Sequence, residues 1–250
     1  MAGHSKWHNI RLRKGAQDAK RGKQFTKVAR EIIVAAKSGG GDPDANPRLR
    51  MAIREARSIN MPNDNIERAI KKGCGELGPG ETYEEAMFEG YGPHGVALLI
   101  ATLTDNRQRT VPEIRSILGK RGGNLGEGGC VSWMFERKGV INVEKTKATE
   151  EDLFEAALDA GADDVIDEAD TWRVTCPPEA YEDVLKALET AGIPVASSEV
   201  TMLPSTSVKL GEKEAPSILR LLDDLEDIDD VQKVYANFDI PDEVLEAISG

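Results

Sequence analysis

The hydrophobic period of this 250-residue chain changes at the stretch 74–80, from helical spacing alone to strand patterns interspersed with helices, and this change most limits the folds it can adopt. Before this stretch the apolar residues recur at helical spacing, first at Phe25, Val28, Ala29, Ile32, Ile33 and Ala36. Asn46-Pro47 is typical of an N-cap followed by proline in the first helical turn. A third helix is predicted to start near Asn63 and to end with Gly73 as its C-cap. The pattern predicts a small three-helix domain.

Beyond residue 80 the apolar residues alternate or run continuously, as they do in strands. The first series predicts strands at 81–91, 96–104 and 131–136, with a helix at 110–121. A second series over 140–202 has the order strand, helix, strand, strand, helix, strand of ferredoxin-like domains. The helix 215–225 and the strand 231–238 have no partners of their own. They are therefore predicted to complete the first series.

These elements predict an α+β protein in which an N-terminal three-helix domain precedes two ferredoxin-like α/β sandwich domains, one inserted in the other. The predicted parts are a basic arm at 1–22, a helical domain at 23–75, a discontinuous α/β domain at 80–137 plus 205–240, an inserted βαββαβ domain at 138–204 and a C-terminal helix at 241–250.

Charge is divided unevenly along the chain. Residues 1–73 contain 17 Lys and Arg against seven acids, whereas residues 74–250 contain 15 against 37. An acidic body repels phosphate, so a nucleic acid is expected to meet the N-terminal part first. Within the arm, cations would neutralise phosphates and Trp7 would stack on an unpaired base. The predicted nucleic-acid-binding residues are Lys6, Trp7, His8, Arg11, Arg13, Lys14, Lys20, Arg21, Lys23, Lys27 and Arg30. The alternative is a solvated charge run without a partner.

A second group of cations lies within the acidic part of the chain, where the strand 96–104 leads into the next helix. It comprises Arg107, Arg109, Arg115, Lys120 and Arg121. Pairing with neighbouring acids and contact with a second polyanion explain this secondary basic patch equally well.

The glycine-rich run 122–129 resembles a phosphate-binding loop in composition only. It follows a predicted helix and opens a strand, which is the reverse of a P-loop, and it lacks the Gly-Lys-Ser/Thr ending. We predict a helix C-cap followed by a loop that faces a partner, formed by Gly122, Gly123, Asn124, Gly126, Gly128 and Gly129.

Several classes of function lack support in the sequence. His4 and His8 are four residues apart, but no cysteine or carboxylate lies nearby to complete a metal site. The three cysteines are widely spaced and are predicted to be reduced thiols. No Ser, Cys or His stands at a recognisable catalytic spacing, so we predict neither an enzyme nor a metal, cofactor or small-molecule substrate. Without an apolar run that could span a bilayer, the chain is expected in the cytoplasm.

Five long motifs point to one family. They are GHSKWHNIRLRKGAQDAKRGKQFTK from Gly3, MPNDNIERAIKKG from Met61, EGYGPHG from Glu89, TDNRQRT from Thr104 and GGNLGEGGCVSWMF from Gly122. Together they closely resemble the YebC/PmpR family, which includes the mitochondrial translational activator of cytochrome c oxidase. Cys130 departs from the pattern, in which a serine is expected.

The resemblance implies a helical domain and two α/β domains, one inserted in the other. It also implies a cytoplasmic, non-enzymatic regulator of gene expression, of the type described as a DNA-binding transcriptional regulator. Other relatives resemble translation factors that act at the ribosome, in bacteria on proline-rich nascent sequences. The expected partner is therefore duplex DNA or, alternatively, rRNA of the large ribosomal subunit.

Overall fold

The computed structural model describes residues 18–78, 82–168, 170–241 and 243–244, and for residues 18–21 it describes only the backbone. These residues form two compact units, one containing the chain up to Ser132 together with the chain from Ser207, the other containing Trp133–Thr206. Most of the predicted arm and most of the predicted C-terminal helix lie outside the described residues. The mixed α+β class agrees with the sequence-based prediction.

The helical domain consists of α1 (Asp18–Gly39), α2 (Pro47–Ser58) and α3 (Asn63–Gly73), as the periodicity predicts. Its core is aliphatic and is built around Ile32, Leu49 and Ala56, all of which are fully buried. Asn46 caps α2 by accepting a hydrogen bond from the Leu49 N–H at 3.1 Å. Its amide also donates to the carbonyls of two residues in and after α1, at 2.8 and 2.9 Å. One side chain therefore fixes both the start of α2 and the turn before it.

Gly73 serves a different purpose from the predicted C-cap, because Cys74 occupies the cap position. A Cβ atom at Gly73 would lie 2.5 Å from the Ile33 carbonyl oxygen and 2.7 Å from Ala36 Cβ. The glycine is required because the end of α3 packs closely against α1.

The first α/β sandwich has a four-stranded antiparallel sheet in the order β3-β1-β2-β9. Its elements are β1 (Glu84–Tyr91), β2 (Ala97–Thr104), α4 (Arg107–Lys120) and β3 (Asn124–Leu125) before the second unit, with α7 (Ala215–Glu226) and β9 (Val231–Ala236) after it. Residues of α4 and α7 share one core with β1, β2 and β9. The late helix and strand thus complete the sheet of the first series, as predicted. A separate pair, β8 (Val208–Lys209) and β10 (Phe238–Asp239), is parallel.

The predicted strand 131–136 is wrong. Residues Ser132–Met134 form a 3-10 turn, and the strand that follows, β4 (Phe135–Glu144), belongs to the sheet of the second unit. The backbone N–H groups of Val131 and Ser132 donate to the Glu89 carboxylate, at 2.7 and 2.8 Å, instead of entering a strand ladder. The third strand of the first sheet is instead the two-residue β3, within the glycine-rich run.

The second unit contains β4, α5 (Glu150–Ala157), β5 (Asp164–Asp167), β6 (Thr171–Cys176), α6 (Tyr181–Thr190) and β7 (Ser197–Pro204). Its antiparallel sheet has the order β5-β6-β4-β7, and the element order is the βαββαβ of ferredoxin-like domains. A capping box between Thr149 and Asp152 starts α5. The unit spans 133–206, against the predicted 138–204, because residues 135–139 of β4 pair with β7.

Candidate nucleic-acid interface

The predicted nucleic-acid-binding residues fall into three groups. Lys6, Trp7, His8, Arg11, Arg13 and Lys14 lie outside the described residues, so their role stays a prediction. Lys20 and Arg21 lie in the first turn of α1, where the structure describes the backbone only. Lys23, Lys27 and Arg30 follow on α1 at helical spacing, which places them along one side of the helix.

These last three cations contact the end of α7 in the first α/β sandwich. Lys23 Nζ donates to the Asp227 carbonyl at 3.1 Å, and Lys27 Nζ donates to the Glu226 carbonyl at 2.5 Å. Arg30 Nη1 donates to the Asp229 carbonyl at 2.6 Å. The carboxyl end of a helix carries partial negative charge, which favours cations at this position. In this structure the three cations therefore join the helical domain to the sandwich.

The Asp230 carboxylate is the centre of this junction, and its side chain is only 3% exposed. Oδ1 accepts from Arg30 Nη1 at 3.0 Å, and Oδ2 accepts from Arg109 Nη2 at 2.7 Å. The hydroxyl oxygens of Thr110 and Thr104 lie 2.7 and 3.1 Å from Oδ2. Burial alone would raise the pKa of Asp230, but Arg109 and the two hydroxyl groups outweigh it and lower that pKa below its usual value.

The motif TDNRQRT is therefore built around a carboxylate more than 100 residues away in sequence. Thr104 and Thr110 hold Asp230, and Asn106 caps α4 by accepting from the Arg109 N–H at 3.2 Å. Arg109 bridges Asp230 and Asp105, to which it donates at 2.8 Å. An internal structural role explains this spacing of residues.

The five cations of the secondary basic patch have unequal surroundings. Arg107 pairs with Glu84 at 3.0 Å, and Arg121 pairs with Asp224 at 2.6 Å. Together with Arg109, three of the five are thus matched by carboxylates. Arg115 and Lys120 are exposed on α4 and form no ion pair with a described residue. The local charge of the patch is correspondingly reduced.

The glycine-rich loop is held by Glu89, a β1 residue that is 9% exposed. Its two carboxylate oxygens accept from the backbone N–H groups of Gly129, Val131 and Ser132 at 2.7 to 2.8 Å. Burial opposes ionisation, but these three donors together lower the pKa of Glu89 below its usual value. The base of the predicted partner-facing loop is fixed by this carboxylate, while Gly128 and Gly129 stay exposed.

Cys130 lies inside this loop next to Gly126. Burial and the nearby charges of Glu89 and Glu127 raise the pKa of its thiol. A raised pKa lowers the thiolate fraction at neutral pH, and the thiolate is the reactive form.

The structure adds exposed cations that the sequence analysis did not assign to a site. Arg57 on α2, with Arg68 and Lys71 on α3, is exposed, and none of the three forms an ion pair with another described residue. Helical periodicity placed them away from the core, but it gave no reason to group them with the arm. The helical domain consequently presents positive charge that carboxylates do not neutralise, in contrast to most of the secondary basic patch.

Neither a metal site nor a membrane span occurs in the part of the chain that the structure describes. No group of three His, Cys, Asp or Glu side chains there could hold a metal ion. None of its helices combines the length and apolar character that crossing a bilayer needs. His4 and His8, the weak metal candidates, lie outside these residues.

Comparisons with known proteins match both parts of the chain to models of the same protein family. Residues 5–76 match the family model described as the TACO1/YebC protein N-terminal domain, and residues 83–238 match that of the TACO1/YebC second and third domain. A probable transcriptional regulatory protein of Geobacter sulfurreducens is 59% identical over 248 residues, covering 99% of this chain and 100% of the relative. Another from Sulfurihydrogenibium sp. is 54% identical and covers both chains completely.

A solved structure is also similar to this chain. It is the crystal structure of a conserved hypothetical protein from Aquifex aeolicus, which aligns with a TM-score of 0.79 at 49% sequence identity. The alignment covers 91% of this chain and 94% of the other.

Proposed function

Because the chain belongs to the TACO1/YebC family, we propose that it is a cytoplasmic, non-enzymatic regulator of gene expression that binds nucleic acid through its arm and helical domain. The two relatives reported above are called probable transcriptional regulatory proteins, and this name favours duplex DNA as the partner. Binding to rRNA of the large ribosomal subunit during translation is the second candidate. The presence of Trp7 among the cations of the arm favours it, because an aromatic ring stacks on unpaired bases.

The observation that carries the proposal is the separation of charge between the two parts of the chain. Seventeen Lys and Arg face seven acids in residues 1–73, and the ratio is reversed in the remainder. On the helical domain, Arg57, Arg68 and Lys71 are exposed without a carboxylate partner among the described residues. On the sandwich, by contrast, Arg107, Arg109 and Arg121 pair with acids. Phosphate is attracted by the first part and repelled by the second.

The mechanism that follows is electrostatic anchoring. Cations of the arm displace counterions from the phosphate backbone, which provides affinity without reading sequence. The acidic α/β units limit attachment to unrelated polyanions. The loop at 122–130, whose base is fixed by Glu89, is left to contact a second component of the target.

The proposal is tested by removing residues 1–17 of the arm, which leaves α1 intact because its described part begins at Asp18. Binding of the full chain and of the chain lacking residues 1–17 is measured by fluorescence anisotropy on duplex DNA and on a structured RNA, at several salt concentrations. If about six phosphates are neutralised, log affinity falls against log salt with a slope of about −4 to −5. The deletion removes four cations and is expected to make this slope shallower by about 3.5 on duplex DNA.

A matched control changes two exposed cations on the sandwich, Arg115→Gln together with Lys120→Gln. This variant is expected to bind both nucleic acids nearly as well as the unchanged chain. Full affinity after deletion of the arm would contradict the proposed interface. To decide between the two partners, one portion of the lysate is treated with DNase and run through a sucrose gradient, and the DNA that co-purifies with the protein from an untreated portion is sequenced. Arm-dependent migration with the large ribosomal subunit supports translation, whereas enrichment of discrete promoter fragments with the protein supports transcription.

A further inference from the structure

A groove of about 300 Å³ opens between α1 and α3 of the helical domain. Its floor is apolar and contains Ala29, Met61 and Ala69, of which Met61 and Ala69 are each 5% exposed. The half-buried ring of Phe25 forms part of one wall. A surface of this kind accepts a flat apolar group and offers an aromatic face on which it can stack.

One edge of the groove is polar and positively charged. Asn65, Arg68 and Lys72 line it, and their spacing of three and seven residues places them on one side of α3. Arg68 is exposed and has no carboxylate partner among the described residues. No Asp or Glu is among the nine residues that line the groove, even though Asp64 and Glu67 lie on the same helix. The edge therefore suits an anion with a neighbouring hydrogen-bonding group.

An apolar floor, an aromatic wall, an amide and two cations together match the parts of a nucleotide. The volume is at the small end of the range for sites that hold small molecules, so it accommodates one base rather than a duplex. We infer that the groove binds one unpaired nucleotide of a single strand, with the base on the floor beside Phe25 and the phosphate at Arg68 and Lys72. This inference deepens the proposed function and rests on it.

The position of the groove along α1 supports this assignment. Phe25 is seven residues beyond Asp18, where the described part of α1 begins, and this corresponds to about 10 Å along the helix axis. In the sequence, the cations of the arm and the groove are therefore separated only by the first two turns of α1. Stacking on aromatic rings combined with backbone cations is the usual way in which proteins hold single strands.

The experiment uses the full chain and a 12-nucleotide single-stranded RNA that contains one 2-aminopurine, together with the same sequence as DNA and as a duplex. Arg68→Gln removes a cation of the groove, and Thr26→Phe fills the groove from its exposed rim. Lys71→Gln is the matched control, because Lys71 is an exposed cation on the same helix and does not line the groove. Anisotropy reports affinity, and 2-aminopurine fluorescence reports the environment of the base.

We expect Arg68→Gln and Thr26→Phe each to weaken binding of the single strand about tenfold. Thr26→Phe should also abolish the change in 2-aminopurine fluorescence. Thr26→Phe should bind the duplex within about twofold of the unchanged chain. Arg68→Gln should weaken duplex binding no more than Lys71→Gln does, and Lys71→Gln should alter both ligands by the same small factor. Circular dichroism of each variant checks that the helical domain is folded.

Two results overturn the inference. In one, Arg68→Gln and Thr26→Phe bind the single strand as Lys71→Gln does, which leaves the groove to another occupant such as a protein helix. In the other, the groove variants lose duplex and single strand equally. Either result leaves the proposed function standing if deletion of residues 1–17 still weakens binding. If the unchanged chain binds no nucleic acid, the proposed function falls as well.

Discussion

The junction around Asp230 and the loop around Glu89 are both organised by a buried carboxylate, but the donors differ. Asp230 is held by side chains from three elements, namely Arg30 of α1, Thr104 of β2 and Arg109 of α4. Glu89 is held by backbone N–H groups of one short segment, 129–132. Side-chain donors can reach from distant parts of the chain, whereas consecutive backbone donors fix the shape of a single loop.

The difference assigns the two carboxylates different structural tasks. Asp230 joins the helical domain to the first sandwich, because Arg30 belongs to one and Arg109 to the other. Glu89 joins β1 to the glycine-rich loop and leaves the rest of the sheet untouched. Loss of Asp230 should therefore destabilise the first unit as a whole, and loss of Glu89 should destabilise only the loop around it.

The largest effect is expected for Asp230→Asn. The change removes the charge that Arg30 and Arg109 share and leaves Arg30, whose side chain is 16% exposed, without its carboxylate. Breaking a buried ion pair from one side costs about 3 kcal/mol or more of unfolding free energy. Urea unfolding measures the loss, and hydrogen exchange should show reduced protection in both α1 and α4. Asp229→Asn is the control, since Asp229 is exposed and adjacent.

A loss below about 1 kcal/mol for Asp230→Asn, or one equal to that of Asp229→Asn, would contradict the view that this carboxylate joins the two domains. Exchange confined to residues near 230 would contradict it as well.

A smaller and more local effect is expected for Glu89→Gln. The glutamine presents one carbonyl oxygen and one NH₂ group to the three backbone donors, so at least one of these N–H groups loses its acceptor. An unsatisfied buried donor costs about 1 to 3 kcal/mol. Amide exchange should accelerate at residues 129–132 and stay unchanged in α1. Glu127→Gln, in the exposed part of the same loop, should change neither measurement.

The same two regions show what the sequence could predict. Helices α1 to α3 were predictable because the apolar periodicity and the Asn46-Pro47 cap are local signals. The strand at 131–136 was mispredicted because its donors are taken by Glu89, 42 residues from Val131. The apolar and β-branched residues of a turn that leads into a strand can show the same local pattern as a continuous strand.

The candidate site, too, was predictable only where local sequence patterns determine it. Local charge identified Lys23 and Lys27 as candidate phosphate contacts. Their acceptors lie 204 and 199 residues further along the chain, at the end of α7, and no local pattern in the sequence connects them. Periodicity places Arg68 and Lys72 on one side of α3, yet the groove between α3 and α1 depends on how the two helices pack. Such contacts follow from tertiary packing rather than from local pattern.

A moderate effect, confined to the Glu89 region, is expected for Gly123→Ala. A Cβ atom there would lie 2.4 Å from the Tyr91 carbonyl oxygen and 3.1 Å from Gly92 Cα, so the backbone beside β1 has to shift. Overpacking of this kind costs about 1 to 2 kcal/mol. Gly128→Ala is the matched control, because nothing lies within 4 Å of its added Cβ. Urea midpoints for the two variants should differ, and equal midpoints would show that the loop can move away from β1.

The smallest effect is a loss of folding stability at acidic pH. It distinguishes the two carboxylates by the pH at which the loss begins. The folded-state pKa values of Glu89 and Asp230 are both lowered, so the stability each provides is fully present above its unfolded pKa and is lost as the pH falls towards the folded value. The unfolded values are about 4.3 for Glu and about 3.9 for Asp. As the pH falls, Glu89 therefore begins to lose its contribution to stability at a higher pH than Asp230 does.

The destabilisation caused by Glu89→Gln should accordingly begin to shrink at a higher pH than that caused by Asp230→Asn. Urea unfolding of the unchanged chain and of both variants between pH 7 and pH 3.5 measures the two differences. Hydrogen exchange over the same range should show residues 129–132 losing protection before α1 does. The reverse order would mean that Asp230 takes up its proton before Glu89 does, so that the side-chain donors hold a carboxylate charge less firmly than the backbone donors do in this protein.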